Sequence, residues 1–127
     1  MSRRPSETLT PREAQVMGLL WAAGKATAED IRQALPDRPH DSTVRTVLRV
    51  LIHKGYVKRA SGQNTIIYRP AVARAKVERK ALRSFLQRFF GGSAQALLVR
   101  LVEDEKITPE QVEQLRRKYQ PGGKTQP

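Results

Sequence analysis

The stretch from Ser42 to Arg69 constrains this chain most, because its apolar period changes within one short span. Between Ser42 and Lys54 the residues Val44, Val47, Leu48 and Leu51 recur at i, i+3, i+4 and i+7, the spacing of one helix face. Ser42, Arg45, Thr46, Arg49 and His53 share another face, with Thr43 beside it. One face can pack, and the other carries hydrogen-bond donors and positive charge. Gly55 supplies a residue able to leave the helix through the left-handed region. Two β-prone runs follow, Tyr56 to Ala60 and Thr65 to Tyr68, joined by Ser61, Gly62, Gln63 and Asn64. Helix, abrupt stop and hairpin in this order predict a winged helix-turn-helix, in which the polar helix face enters a DNA groove and the hairpin forms the wing.

The preceding residues supply the other helices of such a unit. Leu9-Thr10-Pro11-Arg12-Glu13 is a strong start signal: Thr10 caps, Pro11 suits the first helical position, Glu13 completes a capping box, and Leu9 can staple near Ala14. The helix is expected to bury Val16, Met17, Leu20 and Trp21 and to end at Gly24. A second start at Thr27-Ala28-Glu29-Asp30 predicts a short helix through Leu35 that buries Ile31, Ala34 and Leu35 before Pro36 stops it. Pro36 to Asp41 is the turn before the reading helix, with Asp41 or Ser42 as its N-cap.

Beyond Pro70 the pattern becomes that of longer helices. From Ala73 to Phe90 an apolar stripe of Leu82, Phe85, Leu86 and Phe89 has Val77 at its upstream edge, with Phe90 beside it. Lys76, Arg79, Lys80 and Arg83 recur at helical spacing as a solvated face. Gly91-Gly92 breaks this helix. Ser93 to Glu103 carries Leu97, Leu98, Leu101 and Val102, and a last helix starts at Ile107-Thr108-Pro109-Glu110-Gln111 and presents Val112, Leu115 and Tyr119. Such short amphipathic helices, drawn from roughly 50 residues, make a poor core alone. A second copy of the chain is the economical partner, since two-fold dimers are the commonest soluble oligomers. The expected organisation is a winged helix-turn-helix domain over residues 1–72, a helical dimerisation domain over 73–119, and a disordered tail over 120–127. The fold class is mainly α with a small β-hairpin wing. The dimerisation residues are Leu82, Phe85, Leu86, Phe89, Leu97, Leu98, Leu101, Val112 and Leu115.

Charge agrees with a nucleic-acid partner: 24 Lys and Arg against 12 Asp and Glu leave a net +12, an excess that attracts polyanions. The residues expected on double-stranded DNA are Ser42, Thr43, Arg45, Thr46, Arg49 and His53 of the reading helix, and Lys58, Arg59 and Arg69 around the wing, the last three on phosphates. No apolar run approaches the ~20 residues of a membrane span, and Met1-Ser2-Arg3-Arg4-Pro5 lacks the apolar core of a secretory signal, so a cytoplasmic location without membrane insertion is expected. The chain has no cysteine and only two histidines, His40 and His53, which leaves no conventional metal site and no cofactor in prospect. No nucleophile with its base and no glycine-rich phosphate loop is present, so an enzyme is not expected. The alternatives are a ligand-responsive winged-helix regulator of another family, an architectural DNA protein, and a winged helix that binds protein.

The residues Leu9-Thr10, Val16-Met17, Leu20-Trp21, Thr43 to Leu48 with Leu51, Lys54 to Val57 and Tyr68-Arg69-Pro70 resemble the penicillinase-repressor (BlaI/MecI) family. Phe85-Leu86, Phe89 to Ser93, Leu97-Leu98 and Ile107 to Glu110 extend the resemblance over nearly the whole chain. It implies a dimeric winged-helix repressor of β-lactamase or related stress genes that binds inverted repeats, often with TACA/TGTA cores. It also implies release by proteolysis, triggered by a membrane-bound metallopeptidase sensor, within the helix corresponding to Ser93 to Glu103. The scissile Asn-Phe pair of staphylococcal members maps onto Arg100 and Leu101, so this chain departs from the pattern there. It departs also in the wing, where Gln63-Asn64 follows Gly62 in place of the usual Arg, and in lacking the C-terminal cysteines of copper-responsive relatives.

Overall fold

The computed structural model describes residues 8–61 and 64–119. The expected disorder of residues 120–127 and the wing-tip residues Gly62 and Gln63 lie outside that range. The element order is α1 (Pro11–Ala23), α2 (Ala28–Ala34), α3 (Asp41–Lys54), β1 (Val57–Ser61), β2 (Ile66–Pro70), α4 (Arg74–Phe90), α5 (Ala94–Asp104) and α6 (Pro109–Tyr119). Among the described residues the chain is thus mainly α with one antiparallel hairpin, the winged-helix arrangement expected from the sequence.

Local chemistry sets the helix boundaries. Thr10 Oγ1 accepts the Glu13 N–H at 3.1 Å while Glu13 Oε1 accepts the Thr10 N–H at 3.0 Å, the reciprocal pair that satisfies two otherwise orphaned donors. Thr27 and Asp30 repeat the box at α2, and Thr108 and Gln111 at α6. Gly24 closes α1 at φ 84° and Gly55 closes α3 at φ 93°, a region that costs a side-chain-bearing residue energy. At α3 the expected cap is displaced by one residue. His40 is the N-cap without a side-chain hydrogen bond, and Asp41 is the first helical residue, its carboxylate turned to Arg45.

The hairpin pairs Val57 with Pro70, Lys58 with Arg69, Arg59 with Tyr68, and Ala60 with Ile67. Its strands start one residue later than their β-prone runs. The Tyr56 N–H is held by the Leu51 carbonyl at 2.9 Å and the Tyr56 carbonyl by the Ala71 N–H at 2.7 Å, so Tyr56 closes the helix instead of opening the strand. Ala26 exchanges two backbone hydrogen bonds with Tyr68, at 3.0 and 2.8 Å, which moors the wing to the segment between α1 and α2.

The chain divides into two compact units between Leu82 and Arg83, a boundary inside α4. In the first unit Val16, Met17, Leu20, Ile31, Leu35, Val44, Leu48, Leu51, Tyr56 and Tyr68 form one buried core. Full burial of each large aliphatic side chain stabilises by about 1.5–3 kcal/mol. Two expectations are corrected. Ala34 is exposed, because Ala28, Ile31 and Leu35 form the buried row and leave Ala34 at its edge. Trp21 is half-buried: its indole N–H donates to the Val72 carbonyl at 2.9 Å, and the Arg74 guanidinium lies 5.8 Å from the ring centroid. Val72 and Val77 pack on the same core, so the residues after the wing belong to this unit.

In the second unit Gly91 and Gly92 end α4 at positive φ, the Gly92 N–H reaches the Leu86 carbonyl at 2.8 Å, and Ser93 caps α5. Phe85 stacks on Phe89 and Phe90 with centroids 5.3 and 5.6 Å apart. No residue of α4, α5 or α6 is buried. Among the described residues, no helix is long and apolar enough to cross a membrane.

Candidate nucleic-acid interface

Helix α3 buries Val44, Leu48 and Leu51, with Val47 packed at the core's edge. Its opposite face therefore turns outward, and Ser42, Thr43, Arg45, Thr46, Arg49 and His53 are all exposed. Between that face and the hairpin lies a cleft of about 380 Å³ lined by Arg45, Arg49, Ile52, Arg59, Ile66 and Tyr68. A second hollow of about 310 Å³ continues past Arg45 to Thr27, Ala28, Glu29, Asn64 and Thr65. The fold thus brings Arg45 and Arg49 of the helix together with Arg59 of the wing.

Lys58 and Arg69 go elsewhere. They are direct cross-strand partners, and strand alternation puts them on the hairpin face opposite Arg59 and Tyr68. Two like charges at such a position repel one another, and a polyanion would relieve the repulsion. Among the described residues no carboxylate pairs with Arg49, Lys58, Arg59 or Arg69.

The carboxylates near the cleft are committed. Asp41 Oδ2 accepts from Arg45 Nε at 2.8 Å, and this hydrogen bond, with the attraction behind it, raises the guanidinium pKa above its ordinary value. Glu29 accepts from Arg32 and Gln33, which hold its carboxyl down at about 2. Sequence reasoning passed over the Asp41–Arg45 pair, although an acid four residues before a base on a helix is a legible signal. It also passed over Asn64 and Thr65 as cleft residues, for which strand patterning gives no cue.

In the second unit Phe89 is 66% exposed, Leu115 52% and Leu98 47%, and Phe85 and Val112 are also exposed; Leu82, the last residue of the first unit, is 49% exposed. Leu86, Leu97 and Leu101 are half-buried. Arg100 is exposed near Asp104, and the bond between Arg100 and Leu101 lies within the helical turns of α5.

The fold is shared with solved transcription regulators. A structure described as a possible transcriptional regulator for arsenical resistance aligns with a TM-score of 0.50 at 23% identity, covering 74% of this chain and 86% of that one. The oxidised form of MarR from E. coli aligns with a TM-score of 0.52 at 17% identity, covering 89% and 74%. In sequence, the penicillinase repressor of Staphylococcus aureus is 24% identical over 106 residues, 82% of this chain and 84% of that protein. The methicillin resistance regulatory protein MecI of S. aureus strain N315 is 24% identical over 110 residues, 85% and 89%. The penicillinase repressor of Bacillus licheniformis is 22% identical over 109 residues, 84% and 85%. The model of the penicillinase repressor family matches residues 9–120. A winged helix with an exposed basic face on α3, matched by that model along nearly its full length, belongs to the penicillinase repressor family: it is a DNA-binding transcriptional repressor and not an enzyme.

Proposed function

We propose that the chain represses transcription in the cytoplasm as a homodimer whose two winged-helix heads occupy the half-sites of an inverted-repeat operator. The observation that carries this reading is the contrast between the units. The head buries most of its large apolar residues, whereas Phe85, Phe89, Leu98, Val112 and Leu115 of the second unit stand exposed in the single chain. An apolar surface of that kind is covered by a partner in solution, and an isologous pairing of two copies gives the two-fold symmetry that an inverted repeat matches. In each head Arg45 and Arg49 reach base edges, Ser42, Thr43, Thr46 and His53 line the helix face around them, and Lys58, Arg59 and Arg69 hold phosphates.

Release follows from separating the heads. Proteolysis in α5, at Arg100 and Leu101 or nearby, detaches α6 from the remainder of the dimer surface, and a membrane metallopeptidase sensor acting indirectly is the kind of trigger that the family resemblance implies. The names of the relatives support regulated genes of antibiotic resistance, and the family resemblance also implies related genes of stress response.

Selection of bound sequences from a random duplex library tests the operator. An inverted repeat with half-site centres about 10 base pairs or a multiple apart is expected. Enrichment of single half-sites or direct repeats contradicts the symmetric dimer.

A further inference from the structure

Asp41 is the one acidic residue of α3, and it stands at the first helical position, one turn before Arg45, which lines the cleft. A carboxylate there weakens binding to any polyanion through charge alone. Its geometry supplies a compensating role. The Oδ2 atom accepts from Arg45 Nε at 2.8 Å across one helical turn, and the two side chains are 53% and 51% exposed, so the pair stays open to a ligand. With Nε committed, the guanidinium presents its two Nη groups, a planar pair of donors that fits the O6 and N7 acceptors of guanine. Were Arg45 to swing onto a phosphate instead, Asp41 would be left unpaired and facing negative charge.

On the reading that α3 enters the major groove, we infer that Asp41 is a positioning residue for base discrimination: it aims the Arg45 fork at a guanine edge and, by holding Arg45 off the backbone, penalises duplexes that offer only phosphates. Arg45 held in this way gives up little freedom on meeting the right base. The wrong base leaves Arg45 unsatisfied and the carboxylate exposed to repulsion, so one pair supplies both the attraction and the penalty that specificity needs.

The test compares binding to the duplex most enriched from a random library with binding to a scrambled duplex of equal length and composition. Asp41→Asn is expected to bind the scrambled duplex more tightly, with a salt dependence steeper by about 0.9 as Arg45 becomes free to neutralise a phosphate. The ratio between the two duplexes is expected to fall about tenfold. Asp41→Glu, which keeps a carboxylate within reach of Arg45, is expected to restore most of the ratio. In an Arg45→Ala background, Asp41→Asn is expected to raise both affinities equally and leave the ratio unchanged, since the carboxylate acts through the arginine. If Arg45→Ala weakens binding to the enriched duplex but Asp41→Asn leaves the ratio intact, the inference falls and the interface stands. If Arg45→Ala has no effect either, both fall.

Discussion

Lys54 Nζ lies 2.8 Å from Oε1 of Glu13, which ties the last turn of the reading helix to the first turn of α1. Glu13 is the one buried charged residue among those described, and it also completes the capping box of α1. Burial by itself pushes the Glu13 carboxyl up. Hydrogen bonds from Lys54 and from the Thr10 N–H outweigh burial, and the net effect holds the carboxyl below its ordinary 4.5. The pair therefore fixes the reading helix through a group that must be charged.

The sign of the pH dependence follows. A carboxylate whose folded pKa is depressed contributes its full stabilisation above the unfolded value and loses it as pH falls through the folded one. Between pH 5 and pH 3, wild type is expected to lose stability more steeply than Glu13→Gln, which itself costs about 1–3 kcal/mol at pH 7. Thermal melts across that window check this, and parallel curves for the two proteins would count against it.

Trp21 is the chain's single tryptophan, and its bond to Val72 makes it a reporter on how the start of α4 is moored. Trp21→Phe removes the donor and is expected to lower stability by about 1–3 kcal/mol by leaving the Val72 carbonyl unpaired. In wild type, tryptophan emission is expected to shift to the red at the same denaturant concentration at which helical circular dichroism is lost. An earlier shift would mean that the mooring opens independently of the head.

On the proposed reading, the wing and the helix make different kinds of contact. Arg59→Ala and Lys58→Ala are each expected to weaken binding to all duplexes alike and to flatten the salt dependence by about 0.9. Arg49→Ala is expected to cost about 1–3 kcal/mol on the enriched duplex and much less on a scrambled one. Titrations at several salt concentrations separate the two signatures. A sequence-dependent loss for the wing variants would reverse their assignment.

Much of this was legible because it is local. The boxes at Thr10 and Glu13 and at Thr108 and Gln111, the glycine stops at Gly24 and Gly55, and the packed row of Val44, Leu48 and Leu51 depend on residues within two turns of one another, so spacing alone announces them. What was not legible depends on partners far along the chain. The Ala26–Tyr68 bridge, the Arg12–Asp37 ion pair and the Glu13–Lys54 tie join residues whose meeting is decided by tertiary packing. The exposure of Ala34 and the half-burial of Trp21 have the same origin. In the candidate site, helical spacing was enough to group the exposed α3 residues, whereas the separation of Arg59 from Lys58 and Arg69 required the strand register.

Cleavage in α5 gives a further test. With the residues from Val99 to Val102 replaced by an engineered protease site, cutting is expected to weaken binding to the enriched duplex by about a hundredfold or more while leaving the heads folded, because linked half-sites lose their effective concentration. Retained tight binding after cutting would exclude separation of the heads as the release step.

The most direct measurement is the mass of the protein on its enriched duplex by sedimentation velocity, for wild type and for a full-length variant carrying Phe89→Glu and Leu98→Glu. Both side chains are largely exposed in the single chain, so the substitutions remove little packing within one copy, and helical circular dichroism of the variant checks that its fold persists. The account predicts two wild-type chains per duplex, already paired in the absence of DNA, and a variant that is monomeric when free and binds the duplex at least about a hundredfold more weakly. A wild-type chain that is monomeric and binds one per duplex, or a variant that pairs and binds as wild type does, would contradict it.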